Sequence, residues 1–423
     1  MDLSLLTPRT LLRKAREYTR KLWVRVAIMG LMAVVAVGVA PLIEHFVPEK
    51  LARTLGGQAA DRLLQIIANA MLAVTTFSLT VMVSIHRSVS GQWTPRAHRM
   101  LLRDTPTQTV LATFMGAYIY ALTSLILLYT PYFGEAEVVV LFGMTLVVIV
   151  LIVAMMMRWI LHLETWGSLI QTTSAIEEAA ITSLDERARA PCYGANVLTP
   201  DTIIPATAVD LHALRTGFVQ SVYQARINAK AAKAGAIVYL TVPTGSFVQE
   251  GDVIGHVASG TPELIGEIMS SLTIGNVRTP DQDPRFCLIM LSEIASKALS
   301  PGINDPGTAI DILGRMTRVL GHLAPEEPRD NAPLANLWLP PLDIAELVTE
   351  SFAPIARDGA GTVEVQIALQ KRLAGLQRHA PAPVAAAARR AAADALARAR
   401  VALLHPSDRD RLAEAVKEPL PGI

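Results

Sequence analysis

Four side chains in the soluble part of this 423-residue chain have the types and spacing for chemistry. They are Asp281 and Asp283, two residues apart, and Asn304 and Asp305, adjacent in a Pro/Gly loop. Two carboxylates can divide acid and base roles when their surroundings drive their pKa values apart, and clustered oxygens can hold a cation or a small ligand. The same residues also have simpler work. Thr279-Pro280-Asp281-Gln282 reads as a capping box, with proline at the first helical position and Gln282 reaching back. Asp281 and Asp283 would then lie where the helix dipole favours acids. Asp305, just before Pro306, reads as the N-cap of a second helix. Capping is the stronger of the two readings, and the spacing is not that of a calcium loop.

A second set of polar groups lies in an apolar run. Gln65, Asn69, Ala73, Thr76, Thr80, Ser84 and Arg87 share one face at helical spacing, since residues advance about 100° each around a helix. Asn69, Ala73, Thr76, Thr80, Ser84 and Arg87 are the candidates for the wall of a wet pathway. Hydroxyl and small residues also let membrane helices approach and hydrogen-bond one another. On the stripe alone, packing weighs more than pore lining.

Just beyond this run, Thr94-Pro95 reads as an N-cap followed by proline. The short helix it opens places Arg96, Arg99 and Arg103 on one side and Ala97, Met100 and Leu101 on another. That distribution fits a helix lying in a headgroup layer, and the three arginines form a candidate inner basic collar. A plain interfacial anchor is the simpler reading.

The elements that must position these groups follow from hydropathy. Four runs, Leu22–Ile43, Leu63–Ile85, Thr109–Tyr129 and Val138–Leu161, each have the ~20 apolar residues needed to cross the hydrocarbon core as a helix. Arg9, Arg13, Lys14, Arg16, Arg20, Lys21 and Arg25 flank the first run, and Arg87, Arg96, Arg99 and Arg103 flank the second. The loop before the fourth run carries Glu135 and Glu137 without Lys or Arg. The positive-inside rule then predicts a multi-pass protein of the bacterial cytoplasmic (inner) membrane with N- and C-termini cytoplasmic. Asp, Glu, Lys and Arg are missing from the middle of every run, which speaks against proton-coupled pumping. Hydrophobic residues make up 51% of the chain and the net charge is +1, so nucleic acid is not an expected partner. Cys192 and Cys287 are expected to be reduced and structural, and no Cys/His cluster calls for zinc.

The expected fold is a membrane α-helical domain followed by a cytoplasmic α+β domain with a small β-barrel-like unit and a C-terminal helical bundle. The divisions are a basic amphipathic segment at 1–21, four transmembrane helices at 22–163 and a connecting helix at 164–191. They continue with a β-rich domain at 192–262, a helical pair with its Pro/Gly/Asn loop at 263–322, a linker at 323–340 and C-terminal helices at 341–423. Strands are predicted at 217–223, 236–242, 246–248 and 253–257, with a helix over 224–234 closed by Gly235. The run from Val242 to Gly255 resembles half of a biotinyl/lipoyl-type barrel. Ala234–Gly275 contains no lysine to carry a cofactor, so only the local β shape is carried over.

Several of these pieces together resemble a bacterial family of predicted membrane proteins known as domain of unknown function 2254. They are Thr75-Thr76-Phe77-Ser78-Leu79-Thr80, Trp93-Thr94-Pro95-Arg96, Leu101-Leu102-Arg103-Asp104, and Thr113-Phe114 with Tyr120. In the soluble part they are Gly245-x-Phe247-Val248-x-x-Gly251-Asp252, Arg278–Asp283, and the specific run Ala298–Pro306. Trp93, Thr94 and Gly307 depart from the usual residues. The resemblance implies four spans and a cytoplasmic domain and brings no activity with it.

The leading expectation is a homo-oligomeric channel or pore whose second span lines the axis and whose cytoplasmic domain forms a vestibule or sensor. The layout is similar to that of small-conductance mechanosensitive channels in architecture alone. The alternative is a membrane-anchored sensor or scaffold that binds a protein or small ligand. No nucleophile elbow, HExxH helix, phosphate loop or GxGxxG turn is present, so an enzyme is not expected. Membrane lipids and further copies of the chain are the expected partners. No cofactor and no metal are expected.

Overall fold

Long apolar sequence forces helix wherever water is excluded from the backbone, and three such helices are seen among the described residues. The computed structural model describes residues 57–90, 94–102, 105–129, 135–165, 168–323 and 333–417, with a few positions between 24 and 35. The predicted first span and the segment 1–21 lie outside the described residues. The chain divides into two units, Met1–Gln92 with His98–Gln171, and Trp93–Ala97 with Thr172–Ile423.

In the first unit, helix α1 spans Gly57–Ser90; a short helix α2, Pro95–Leu102, is divided between the units after Ala97. Helix α3 is Thr105–Leu128 and α4 is Glu135–Thr165. Within α1, α3 and α4, the stretches Ala59–Arg87, Pro106–Leu128 and Val138–Glu164 are long and apolar enough to cross a membrane. They share one core, in which Leu64 and Met71 meet Phe114 and Tyr120, with Leu141 and Val148 closing the third side. Ala112, Gly116, Ala117 and Ala121 are all buried in α3, as small residues should be where helix backbones approach closely. The Tyr120 hydroxyl lies 3.2 Å from that of Thr145, and Thr145 donates to Leu141 O at 2.7 Å. These two buried hydroxyls thereby keep a partner away from water.

In the second unit, α5 (Leu169–Arg189) leads into a mixed α/β body. Strands β1 (Ala195–Val197), β2 (Val209–His212), β3 (Gly217–Val222) and β4 (Ile237–Leu240) come first, with α6 (Gln224–Lys233) between the last two. There follow β5 (Phe247–Val248), β6 (Val253–Ala258), α7 (Pro262–Met269) and β7 (Leu272–Gly275). Helices α8 (Pro284–Ala298) and α9 (Pro306–Gly321) precede β8 (Leu334–Leu339). Helices α10 (Ile344–Asp358), α11 (Val363–His379), α12 (Ala382–Ala402) and α13 (Pro406–Lys417) complete the unit.

The strands form two sheets, β1-β8-β4-β6-β2 and β5-β3-β7. Val219 and Ile274 of the smaller sheet pack with Leu240 and Ile254 of the larger. The run that resembles half a barrel is therefore split, β5 joining the small sheet through β3 and β6 joining the large sheet through β4.

Two expectations need correction. The stretch 323–340 is not all linker, because β8 lies within it and pairs in parallel with both β1 and β4. Its prolines mark the ends: Pro333 and Pro340 bracket the six residues, while Leu337 is fully buried between the flanking strands. Trp338 stacks on Tyr239, with ring centroids 5.8 Å apart. The β-rich part likewise extends beyond 262 to include β7 and β8. The second correction concerns Gln282, which is not the third residue of a helix. Its amide clamps the end of β3, accepting from Val222 N at 2.9 Å and donating to Val222 O at 3.2 Å. The helix starts later, where the Asp283 carboxylate accepts from Phe286 N at 3.0 Å.

Candidate functional site

Helix α1 has a buried and an exposed side, and the exposed side carries the polar stripe together with the apolar Ile66, Leu72, Phe77 and Leu79. Leu64, Ile67, Ala68, Met71, Thr75 and Ser78 are buried, and Asn69, Ala73, Thr76, Thr80, Ser84 and Arg87 are exposed. The polar stripe therefore faces away from the three-helix core. Thr76 donates to Leu72 O at 2.9 Å and Thr80 to Thr76 O at 3.0 Å. Such bonds to the carbonyl one turn back settle each hydroxyl proton and leave its lone pairs outward. Gln65 continues the exposed face toward the start of α1, where its amide donates to Asp61 at 2.9 Å, and Tyr129 donates to the same carboxylate at 3.1 Å. At the opposite end of α1, His86 and His98 meet edge to face at 5.1 Å.

Of the expected basic collar, Arg96 lies in the piece Trp93–Ala97 that belongs to the second unit, where its guanidinium pairs with Glu293 of α8. Burial pushes the Glu293 carboxyl upward, and Arg96 partly offsets that. Arg96 is thus an ion-pair partner and not simply a solvated charge. The side chain of Arg99 and the whole of Arg103 lie outside the described residues.

The four oxygen-bearing residues named first do not form one notch. Asp281 and Asp283 precede α8, whereas Asn304 and Asp305 follow it, with Asp305 N bonded to Ala298 O at 2.8 Å. Fifteen helical residues separate the two pairs, which is about 22 Å of helix. Asp283 is buried and bidentate with Arg278, at 2.6 and 3.1 Å, while also capping α8. The Arg278 guanidinium stands 5.2 Å from the centre of the Phe286 ring. Asp305 caps α9, accepting from Thr308 N at 3.0 Å and from the Thr308 hydroxyl at 2.5 Å. Those bonds hold its carboxyl below the usual aspartate range. Asn304 takes a positive φ of 51° to make the turn, a conformation asparagine tolerates better than most residues. Among the described residues no three His, Cys, Asp or Glu side chains gather as a metal would need.

Sequence reasoning missed a buried ion cluster. Glu177 of α5 receives Arg315 Nη1 at 2.8 Å and Arg318 Nε at 2.6 Å, both from α9. Arg315 also reaches Ser174 Oγ at 2.9 Å and Asp311 at 2.7 Å. The carboxylate sits in the apolar row Ile176, Ala180 and Leu184. A single acid in such a row, opposite two arginines three apart on another helix, was the available signal. Only the fold could say that α5 meets α9.

The chain spans about 64% of the length of the curated relatives it matches. Uncharacterized protein Mb1321c of Mycobacterium bovis is 30% identical over 339 residues, covering 75% of this chain. Uncharacterized protein Rv1290c of Mycobacterium tuberculosis shows the same identity and coverage. No solved structure matches. The family described as predicted membrane protein (DUF2254) matches residues 19–375, which take in the apolar helices, both sheets and the Asp283 and Asp305 caps. The chain belongs to that family of predicted membrane proteins.

Proposed function

We propose that the protein is a homo-oligomeric channel or pore of the bacterial cytoplasmic membrane, with α1 lining the pathway and the second unit forming a cytoplasmic vestibule or sensor. The observation that carries this reading is the outward polar face of α1. Polar groups turned toward hydrocarbon are costly, so a row of them on an exposed face calls for a wet or protein-covered surface. Copies of α1 around an axis would supply one. The Thr76 and Thr80 hydroxyls, already bonded within their own helix, would make a mildly polar wall. Such a wall suits passage better than tight retention. No catalysis belongs to this reading, and both termini are taken as cytoplasmic from the basic residues around the spans.

The test is bilayer recording of reconstituted protein with Thr76→Leu and Thr80→Leu together. An apolar wall should dewet the path and abolish conductance. Wild-type currents in the double variant would overturn the reading. So would a monomeric or dimeric native mass in lipid nanodiscs, since so few copies of α1 cannot enclose an axis.

One observation favours a second reading, a membrane-anchored sensor. Glu177 lies in the helix that follows the last apolar span and is held by two arginines of α9. A ligand that moved α9 would therefore act on that helix. Substitutions at Glu177 that alter the response of the protein to a ligand, in the absence of any current, would support the sensor over the pore.

A further inference from the structure

Helices α11, α12 and α13 enclose a groove of about 280 Å³, near the lower end of the range for small-molecule clefts. Three cations reach its wall, Lys371 and Arg378 from α11 and Arg389 from α12, and no acidic residue lines it. None of the three has a carboxylate partner among the described residues, whereas Arg398 further along α12 is paired with Asp394 at 2.7 Å. Arg378 stands in the last turn of α11, where the helix dipole alone would welcome a cation. Arg389, in the N-terminal half of α12, has no such reason to be there. Because α12 turns back after α11 through a short link at Ala380 and Pro381, and Gln370 meets Ala392 across the hairpin, Arg389 stands at about the height of Lys371, with Arg378 nearer the link. Lys371 and Arg378 are two turns apart along α11, about 10 Å by helical rise, so the three cations line the length of the groove.

The rest of the wall is small, apolar or amide. Leu396 and Val416 flank a floor of alanines, and Gln377 adds an amide next to Arg378. Gln370 is fixed by donating to Ala392 O at 2.9 Å. Guanidinium groups recognise phosphate through paired N–H donors, and apolar walls beside amides suit the organic part of a ligand.

We infer that this groove binds a phosphate-bearing small molecule, its phosphate held by Arg389 with the flanking cations Lys371 and Arg378 and its uncharged part lying along the alanine floor. The phosphate can come from a soluble metabolite of mononucleotide size or from a phospholipid headgroup. This site is independent of the pore reading.

The experiment uses the full chain in phosphatidylcholine nanodiscs, titrated calorimetrically with AMP, with inorganic pyrophosphate and with short-chain phosphatidylglycerol. Saturable binding of at least one probe is expected. Arg378→Gln with Arg389→Gln should weaken it tenfold or more. Ala393→Phe, which fills the groove and leaves every charge in place, should weaken it as well. Arg372→Gln, an exposed cation of the same helix outside the groove, should leave it unchanged. AMP or pyrophosphate binding with this pattern assigns a soluble ligand, and phosphatidylglycerol binding alone with this pattern assigns a lipid headgroup. Absence of binding by all three probes overturns the inference. So does binding that survives both groove variants, or binding that Arg372→Gln weakens equally.

Discussion

Arg315 and Glu177 form a buried ion pair, Nη1 to Oε2 at 2.8 Å, that ties α5, the helix after the last long apolar helix, to α9. Both side chains are close to nine-tenths buried, at 11% and 9% exposure. Two charges withdrawn from water hold only if each keeps its partner, so the pair works as a unit. Removing one member leaves the other uncompensated, which typically costs 3–5 kcal/mol.

Glu177→Ala should therefore destabilise the protein by about 3 kcal/mol, read as a lowered midpoint in urea unfolding followed by tryptophan fluorescence. Arg318→Ala should cost far less, because that side chain is 58% exposed and exposed pairs contribute about 1 kcal/mol or less. Equal losses in the two variants would show that burial does not set the strength of this cluster.

Gly245 should tolerate no side chain. Its φ is +90°, and a Cβ there would lie 2.0 Å from Asp283 Oδ2 and 2.9 Å from Arg278 Nε. Gly245→Ala would break the Arg278–Asp283 pair and the α8 cap together. A loss of about 3 kcal/mol is expected, with the same urea readout, since strain, a lost cap and a lost buried pair all contribute. A variant as stable as wild type would mean that the turn around Thr244 adjusts freely.

Asp305 supplies a prediction with a pH signature. The Thr308 hydroxyl and amide hold its carboxyl below the ordinary aspartate value. A lowered folded pKa means that its stabilisation is complete above that ordinary value and is lost as pH falls through the folded one. Asp305→Ala should cost about 1 kcal/mol at neutral pH. The gap from wild type should narrow as the pH is taken below the aspartate range, as denaturation curves at several pH values would record. A gap that stays constant into acid would place the effect outside the carboxylate.

Both cysteines should be silent toward maleimide in the folded protein. Cys287 is fully buried, and burial with Asp283 and Asp281 nearby pushes its thiol far above the usual range. Cys192 is also buried. Raising the pH to 9 should barely increase labelling, because the thiolate is the reactive form. Two labels per chain should appear only on unfolding, as mass spectrometry would count them.

How much of this was legible in sequence depends on the range of the interaction. The spans of α1, α3 and α4, the strands at 217–222 and 253–258, and the Asp305 cap follow from neighbours a few residues apart, through apolar length, alternation and capping. The polar stripe on α1 was equally readable, since helical spacing alone collects its members. That the stripe faces outward was not readable, because this depends on which side of α1 meets α3 and α4. Strand β8 was hidden for a similar reason. Its short apolar run looks like a proline-bounded loop until β1 and β4, more than ninety residues away in sequence, supply its hydrogen bonds. The ligand notch proposed from Asp281, Asp283, Asn304 and Asp305 failed because α8 stands between the two pairs as a rigid rod. The Glu177 cluster and the groove between α11, α12 and α13 belong wholly to tertiary structure. Sequence by itself determined where the chain is apolar, where helices start and which residues carry charge. Only the folded chain decided which charges meet and which are left facing a groove, because those contacts join segments that sequence spacing does not relate.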